Sequence, residues 1–338
     1  MLQNILSQLH KPDQAILFTT HWSPDGDAIG SSVGLALYLR SKGLTVHVVL
    51  PNEPSIALKK SPSCDADFVH VHESEPEKVA ALIKACDVHC ALDYNVPHRT
   101  GKALSPLLAA MDAFEILIDH HQEPDDRYDI CYSDTGKGST AEMVADLIEA
   151  DGGLGQISQA CAENLLMGLI TDSGSFRYPS TSSHTLRLAA ALMDQGAHPE
   201  AIHRRLFESS NISRLQLIGR GLSSITFHAN QRAALLTLSL DDMKACGYQS
   251  GDTDGLVNWG LSVEGVSVSC LFREDSAGVV KCSFRSVGDI NVNRFARAYF
   301  QGGGHANAAG GIYQGTLQSA MDRFVEHVND LFVWSLLP

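Results

Sequence analysis

Three side chains in a row, Asp119, His120 and His121, follow an apolar run of Phe114, Ile116, Leu117 and Ile118. The run reads as a buried strand, which puts an acid and two imidazoles at its carboxyl end. In an open α/β sheet that edge is where ligands bind, and a carboxylate beside two histidines there suits a metal ion. Fifteen histidines in the chain make any one of them weak evidence, so the other element ends matter. A first strand delivers His21 into W-S-P-D-G-D, which holds Asp25 and Asp27. The run V-H-C-A-L-D ends in Asp93, and a helix over 158–170 runs on to Asp172. Each acid alone has a plainer explanation, because Pro-Asp-Gly is a strong turn signal and Asp93 or Asp172 could cap a helix. Taken jointly, carboxylates and imidazoles at so many element ends favour a metal site. Mixed ligands of this kind suit Mn²⁺, Mg²⁺, Fe²⁺ or Co²⁺ better than a thiolate-bound metal. Their number is enough for two ions, which a shared carboxylate could hold ~3.5 to 4 Å apart to activate a water and neutralise a phosphoryl oxygen.

The elements that must position these residues alternate. Residues 15–20 read as a strand. Residues 28–42 read as a helix, with Ile29, Val33, Leu35, Ala36, Leu37 and Leu39 at helical spacing and Gly43 as its stop. A strand at 45–50, a helix at 76–85, a strand at 88–93, a helix near 101–111 and the strand into Asp119 follow. Strands separated by helices imply right-handed crossovers and a mostly parallel sheet. Ser139-Thr-Ala-Glu142 reads as a capping box that opens a helix to about Ala150, and punctuation is its favoured reading. The 158–170 helix carries Cys161, Leu165, Leu166, Leu169 and Ile170 on its apolar side. The segment 183–222 reads as a linker made of helices. From about 224 short strands take over, with E-D-S-A-G as a hairpin signal, and the small residues of Q-G-G-G-H-A-N-A-A-G-G at 301–311 let a backbone approach a ligand. The last helix is expected over 317–332. The expected class is therefore α/β. An N-terminal, mostly parallel sheet flanked by helices spans 1–182, a helical linker 183–222, and a smaller C-terminal α/β domain with a mixed sheet 223–338.

Composition bounds what this scaffold can do. A length of 338 residues with 44% hydrophobic and 7% aromatic content is comfortable for two cores. The N-terminus M-L-Q-N-I-L-S-Q-L-H lacks a basic start followed by an apolar core, and no stretch approaches the roughly 18 apolar residues of a membrane span. No membrane association and a cytoplasmic location are expected. Eight cysteines without any C-x-x-C pair argue against zinc knuckles and a disulfide framework, and read as reduced, mostly buried thiols. The net charge of −14 argues against a track for long nucleic acid, which needs many Lys and Arg contacts to phosphate. A short nucleotide in a local pocket remains compatible with it.

The same residues carry a resemblance. H-W-S-P-D-G-D-A-I-G-S at 21–31, Asp93, D-H-H at 119–121, T-D-S-G-S-F-R-Y at 171–178, S-F-R-S at 283–286 and G-G-G-H-A-N-A-A-G at 302–310 resemble the DHH phosphoesterase superfamily with its DHHA1 domain. The resemblance covers nearly the whole chain. Its compact layout is similar to the bacterial oligoribonucleases that degrade nanoRNA and remove the 3′-phosphate from pAp, 3′-phosphoadenosine 5′-phosphate. It implies that His21 and Asp25 ligate one ion, that Asp27, His120 and Asp172 ligate the other, and that Asp93 bridges them. His121 would face the scissile phosphate, with Asp119 orienting a histidine. Arg285 and His305 would meet the substrate's phosphates or base, with Gly302, Gly303 and Gly304 leaving room.

The implied cofactors are two divalent ions, Mn²⁺ first, with Mg²⁺ or Co²⁺ as substitutes. The implied reaction is hydrolysis of very short RNA to mononucleotides and of pAp to AMP and phosphate, by a hydroxide activated between the two metals. A homodimer is left open. Two departures stand out: Tyr94 and Asn95 follow the acid of the second motif, and Gln122 follows D-H-H. The rival within the class is hydrolysis of a cyclic dinucleotide or its linear product, and inorganic pyrophosphate ranks below it. From another class, a non-catalytic nucleotide sensor would be expected to have lost some ligands, and none is missing. A dinucleotide-binding oxidoreductase is disfavoured because the first loop is not G-x-G-x-x-G.

Overall fold

A computed structural model describes residues 1–208, 211–249 and 251–334. The chain divides into two compact units, Met1–Ser209 and Ser210–Pro338.

The first unit is built on six strands, β1 (Ala15–Thr19), β2 (Thr45–Leu50), β3 (Val69–Val71), β4 (Val88–Leu92), β5 (Phe114–Asp119) and β6 (Ile130–Ser133). They lie in the order β3-β2-β1-β4-β5-β6, and every pairing is parallel. The central strands are near-continuous apolar runs because both faces are covered. Ile16, Phe18, Val46, Val48, Cys90, Ile116 and Ile118 are buried in the core that also takes Ile29, Val33, Leu165 and Leu169 from the helices. The chain adds β2 and β3 on one side of β1, then returns to build β4, β5 and β6 on the other. The switch between β1 and β4 opens a crevice at the carboxyl ends of these strands, where open α/β sheets bind their ligands.

Two helices frame that crevice from behind. Gly26–Ser41 and Gln159–Asp172 pack so closely that a Cβ at Gly30 would lie 2.4 Å from the Asn164 carbonyl oxygen. One at Gly168 would lie 2.4 Å from Ala141 Cβ and 2.7 Å from Asp27 Oδ1. The missing side chains allow the end of the second helix to approach the start of the first.

Among the described residues of the segment 183–222 there are three helices. Ser183–Asp194 and Pro199–Phe207 bury Leu188, Ala189, Leu192 and Ile202 in the first core, while Ile212–Ser223 buries Leu217 against Leu236, Leu256 and Leu271. Those apolar faces, rather than the charged ones, decide where the helices pack.

The second unit carries a mixed six-stranded sheet of β7 (Thr226–His228), β8 (Ala233–Leu238), β9 (Val268–Ser276), β10 (Val279–Ser286), β11 (Gly303–Gly304) and β12 (Ala308–Gln314). The order is β11-β12-β10-β9-β8-β7; β8 and β9 run parallel and the other pairs antiparallel. The α/β class with a parallel first sheet and a mixed second one is thus as expected. Phe272, Phe284, Phe295, Phe300 and Phe324 fill the second core.

Several elements differ from expectation. The helix near 101–111 shrinks to Ser105–Ala109, preceded by a 3₁₀ turn at Pro97–Thr100, and the last helix breaks into Leu317–His327 and Asp330–Trp334. The short strands β3 and β6 and the hairpin β11–β12 are not among the expected elements. A-A-G-G-I-Y-Q is strand only because β10 pairs with it, and tertiary pairing overrides weak propensity. All eight cysteines are free, Cys131 half-buried and the others buried. Among the described residues, no helix is long and apolar enough to cross a membrane.

Candidate metal centre

β1 ends one residue before Thr20, and the chain then turns through His21 into the loop that caps the 26–41 helix. Asp25 is the N-cap: its Oδ1 accepts from the amides of Asp27 and Ala28 at 3.0 and 3.1 Å. The turn-acid reading and the ligand reading are therefore compatible at this residue, since its remaining oxygen lone pairs stay available. Asp27 is fully buried and is held by a second helix start. Its Oδ2 and Oδ1 accept from the amides of Thr140 and Ala141 at 2.7 and 2.8 Å.

Asp93 leaves β4 in the left-handed region, φ 66°, next to the neighbouring strand's Asp119-His120-His121. Ser23 (φ 56°), Glu123 (φ 57°), Ser175 (φ 62°) and Phe176 (φ 64°) are also left-handed, all in the loops that carry these side chains. Such conformations are worth of order 1–3 kcal/mol of strain each and persist where the surroundings fix them.

Three overlapping groups result, each offering ligand atoms within 4.8 Å of one another: His21, Asp25 and Asp93; Asp27, His120 and Asp172; Asp93, His120 and His121. His21 Nε2 lies 3.5 Å from Asp93 Oδ2 and 3.8 Å from Asp25 Oδ1. His120 Nε2 lies 3.2 Å from Asp172 Oδ2, 3.6 Å from Asp93 Oδ1 and 3.9 Å from Asp27 Oδ2. Asp93 thus faces both sets.

The donor set fits divalent cations. His21 Nδ1 donates to the Trp22 carbonyl at 2.9 Å, which leaves Nε2 as the nitrogen turned toward the carboxylates. Asp119 Oδ1 accepts from His121 Nδ1 at 2.6 Å and fixes that ring in the same way. Burial and the Asp25 charge push the Asp93 carboxyl up to about 6. Burial and the Asp27 charge push Asp172 to about 7. Burial works against the charged form of His120, yet the Asp172 hydrogen bond and the charges of Asp27 and Asp93 lift it to about 10. So many buried carboxylates repel one another, and cations are what the cluster favours.

Known proteins resemble this chain over nearly its full length. The N-terminal domain of the DHH family matches residues 15–169 and the DHHA1 domain matches residues 242–333. The bifunctional oligoribonuclease and PAP phosphatase NrnA of Thermus thermophilus is 33% identical over 93% of this chain and 89% of its own length. The chain belongs to the DHH family. The crystal structure of an exopolyphosphatase-related protein from Bacteroides fragilis superposes with a TM-score of 0.93 at 34% identity, covering 99% of this chain and 96% of that one. The cyclic-di-AMP phosphodiesterase GdpP of Geobacillus thermodenitrificans is 26% identical over 98% of this chain and 50% of its own length.

In this DHH-family chain the D-H-H signature is held by residues that carry no signature themselves. The 139–142 stretch is more than punctuation. Ser139 does cap the 140–150 helix, but Glu142 accepts from Thr185 Oγ1 at 2.8 Å instead of closing a capping box. Thr140 donates its hydroxyl to Asp93 Oδ1 at 3.0 Å while its amide holds Asp27. Tyr94 and Asn95, the departures from the family pattern, also find a purpose. Tyr94 is buried with its hydroxyl on Thr19 Oγ1, which in turn meets His89 Nε2 at 2.7 Å beneath the strand ends. Asn95 Nδ2 donates to the carbonyls of Gln122 and Glu123 at 2.6 and 3.2 Å and ties the Asp93 loop to the loop after His121. The polar residues directly after Asp93 were the one signal that could have pointed there.

In the DHHA1 domain Arg285 pairs in register with Ala308, just past the turn that starts at His305. That turn is closed by the His305 amide on the Ala308 carbonyl at 2.7 Å and stitched to the end of β10 by Asn307 Nδ2 on Ser286 Oγ at 2.9 Å. Arg285 and His305 thus belong to one end of the sheet. The glycines have a packing reason as well: a Cβ at Gly302 would lie 2.0 Å from the Gly310 carbonyl oxygen, and one at Gly304 2.5 Å from that of Ala308. At Gly303 the nearest atom would be at an ordinary 3.7 Å.

Proposed function

We propose that the chain is a divalent-cation-dependent phosphoesterase that hydrolyses very short RNA to mononucleotides and pAp to AMP and phosphate. The observation that carries this reading is the chain of three overlapping ligand groups at the sheet's switch point, two of which share Asp93 and two His120. The likeness over nearly its full length to a protein named for both activities supports the substrate choice. His21 and Asp25 would hold one ion, Asp27, His120 and Asp172 a second, and Asp93 both, with Mn²⁺ the first choice and Mg²⁺ or Co²⁺ as substitutes. Bound there, divalent cations lower the pKa of water and neutralise charge on a phosphoryl oxygen.

The chain's own residues do the rest. His121, held through Nδ1 by Asp119, presents its other nitrogen to the substrate's phosphate. Arg285 grips phosphate oxygens with its planar fork, and His305 recognises the remainder of the nucleotide, with Gly302, Gly303 and Gly304 leaving room. A net charge of −14 suits a substrate of a few nucleotides, because a longer one would need an extended basic track. A second reading, hydrolysis of a cyclic dinucleotide, is supported by the likeness to GdpP across nearly the whole of this chain.

The test follows mononucleotide release from a 5′-labelled RNA dinucleotide and phosphate release from pAp, with Mn²⁺ and then with excess chelator, beside a cyclic dinucleotide. Both reactions should require the cation, and Asp93→Ala should abolish them while circular dichroism stays that of the wild type. Turnover retained by a clean Asp93→Ala preparation overturns the assignment. Turnover of the cyclic dinucleotide alone selects the second reading.

A further inference from the structure

Among the described residues of the first unit, the exposed large aromatic side chains are Trp22, Tyr178 and Phe207. Two of these three lie in loops that carry candidate ligands, Trp22 directly after His21 and Tyr178 in the turn that begins at Asp172. Trp22 keeps 45% of its surface in water although its backbone is firmly held. Its amide donates to the Arg99 carbonyl at 2.6 Å, and its own carbonyl accepts from His21 Nδ1 at 2.9 Å. The six-membered ring lies over Gly101, where a Cβ would come within 2.7 Å of Cε3 and where the backbone is left-handed at φ 90°. A side chain at 101 would push the ring away, so Gly101 serves as its backing. The indole is therefore a fixed apolar plate at the rim of a polar centre, with part of its surface open.

A centre of carboxylates and imidazoles has no need of such a plate for its own stability. A nucleotide does have a use for it. Every base offers a π-face, and stacking on an aromatic side chain is worth about 1–3 kcal/mol per base without reading its edge. A ring already held in place adds that affinity without an ordering penalty. We propose that Trp22 is the stacking platform for a nucleobase of the substrate, that of the nucleotide bound on the His21 side of the centre. The proposal rests on the nucleotide-phosphoesterase reading and deepens it, because it names what distinguishes a nucleotide from inorganic pyrophosphate at this site. It makes no demand on base identity, in keeping with degradation of RNA of any sequence.

The experiment compares wild type, Trp22→Ala and Trp22→Phe on an RNA dinucleotide and on the same diester with an abasic residue at either position. Trp22→Ala should raise KM for the dinucleotide about tenfold, at the lower end of the stacking range, with kcat little changed, and Trp22→Phe should restore most of the loss. Removing the base at the stacked position should raise the wild-type KM and have no further effect in Trp22→Ala. If Trp22→Ala raises KM equally for the intact and both abasic diesters, the role is merely structural and the proposal falls. A second measurement needs no turnover: AMP should quench indole fluorescence in the wild type, and the quench should vanish in Trp22→Phe, which keeps Trp259 and Trp334. If the wild type cleaves neither the dinucleotide nor pAp, the functional reading fails on its own, while the AMP titration still decides Trp22. A quench that persists in Trp22→Phe overturns the proposal.

Discussion

Thr140 links two parts of the centre with one residue. Its amide donates to Asp27, its hydroxyl donates to Asp93, and both bonds depend on Ser139 starting a helix beside them. Partners of this kind, one bond removed from a metal ligand, typically change affinity 10- to 100-fold. Thr140→Val keeps the shape and the amide and loses the hydroxyl, so Mn²⁺ affinity measured by calorimetry should fall about tenfold, with Thr140→Ser close to the wild type. An unchanged affinity in Thr140→Val would show that Asp93 is oriented by its strand alone. At this scale the candidate ligands were legible in the sequence, because an acid or imidazole that interrupts an apolar run is a local signal. The supports were not. Thr140 is 47 residues from Asp93, and Asn95 is 27 from Gln122, and nothing in their own neighbourhoods marks the bond.

At the scale of elements the site depends on how near two helices can come. The 26–41 helix supplies Asp27 at its start and the 159–172 helix supplies Asp172 at its end, and Gly168 lets them meet. Gly168→Ala inserts a methyl 2.4 Å from Ala141 Cβ and 2.7 Å from Asp27 Oδ1, where neither neighbour can withdraw without moving a helix. Overpacking of this sort is worth about 1–3 kcal/mol, so thermal unfolding should shift down and Mn²⁺ affinity should fall with it. A variant that melts like the wild type would mean that the helices part freely.

β5 has its own anchor at the opposite end from the site. Arg127 grips both oxygens of the buried Glu115 with Nε and Nη2. Burial alone would raise this carboxyl, but the nearby His89 ring, 3.8 Å away, and the Arg127 guanidinium hold it below its ordinary value. A carboxyl depressed in the folded state contributes its stability above the unfolded pKa, about 4.3, and loses it as pH falls. Glu115→Gln should therefore be less stable than the wild type by about 2 kcal/mol near neutrality, and the gap should close as the pH drops below roughly 4.3. Denaturant melts at several pH values check this, and a gap independent of pH would place the effect in packing instead of charge.

For the molecule as a whole, among the described residues every candidate cation-ligand group lies in the unit Met1–Ser209 and none in Ser210–Pro338. A ligand that binds only the folded state stabilises by mass action, about 2.7 kcal/mol at a hundred times its dissociation constant. Saturating Mn²⁺ should raise the melting of the first unit by several degrees and leave the second where it was, with chelator reversing the shift. Calorimetry, with hydrogen exchange resolved along the chain, reads the two separately. A cation shift confined to the second unit would refute the placement of the site.

The sequence by itself determined the class of the fold, the alternation that makes the first sheet parallel, and the set of residues able to bind a metal. These depend on local periodicity and on residue type, both of which one dimension preserves. The tertiary structure alone decided the strand order that sets β4 between β1 and β5, and with it the meeting of His21, Asp93 and His120. It also turned the weak segment 308–314 into a strand and gave Thr140, Tyr94 and Asn95 their work. Those outcomes rest on hydrogen bonds and close packing between segments far apart in the chain, and such partners exist only once the chain has folded.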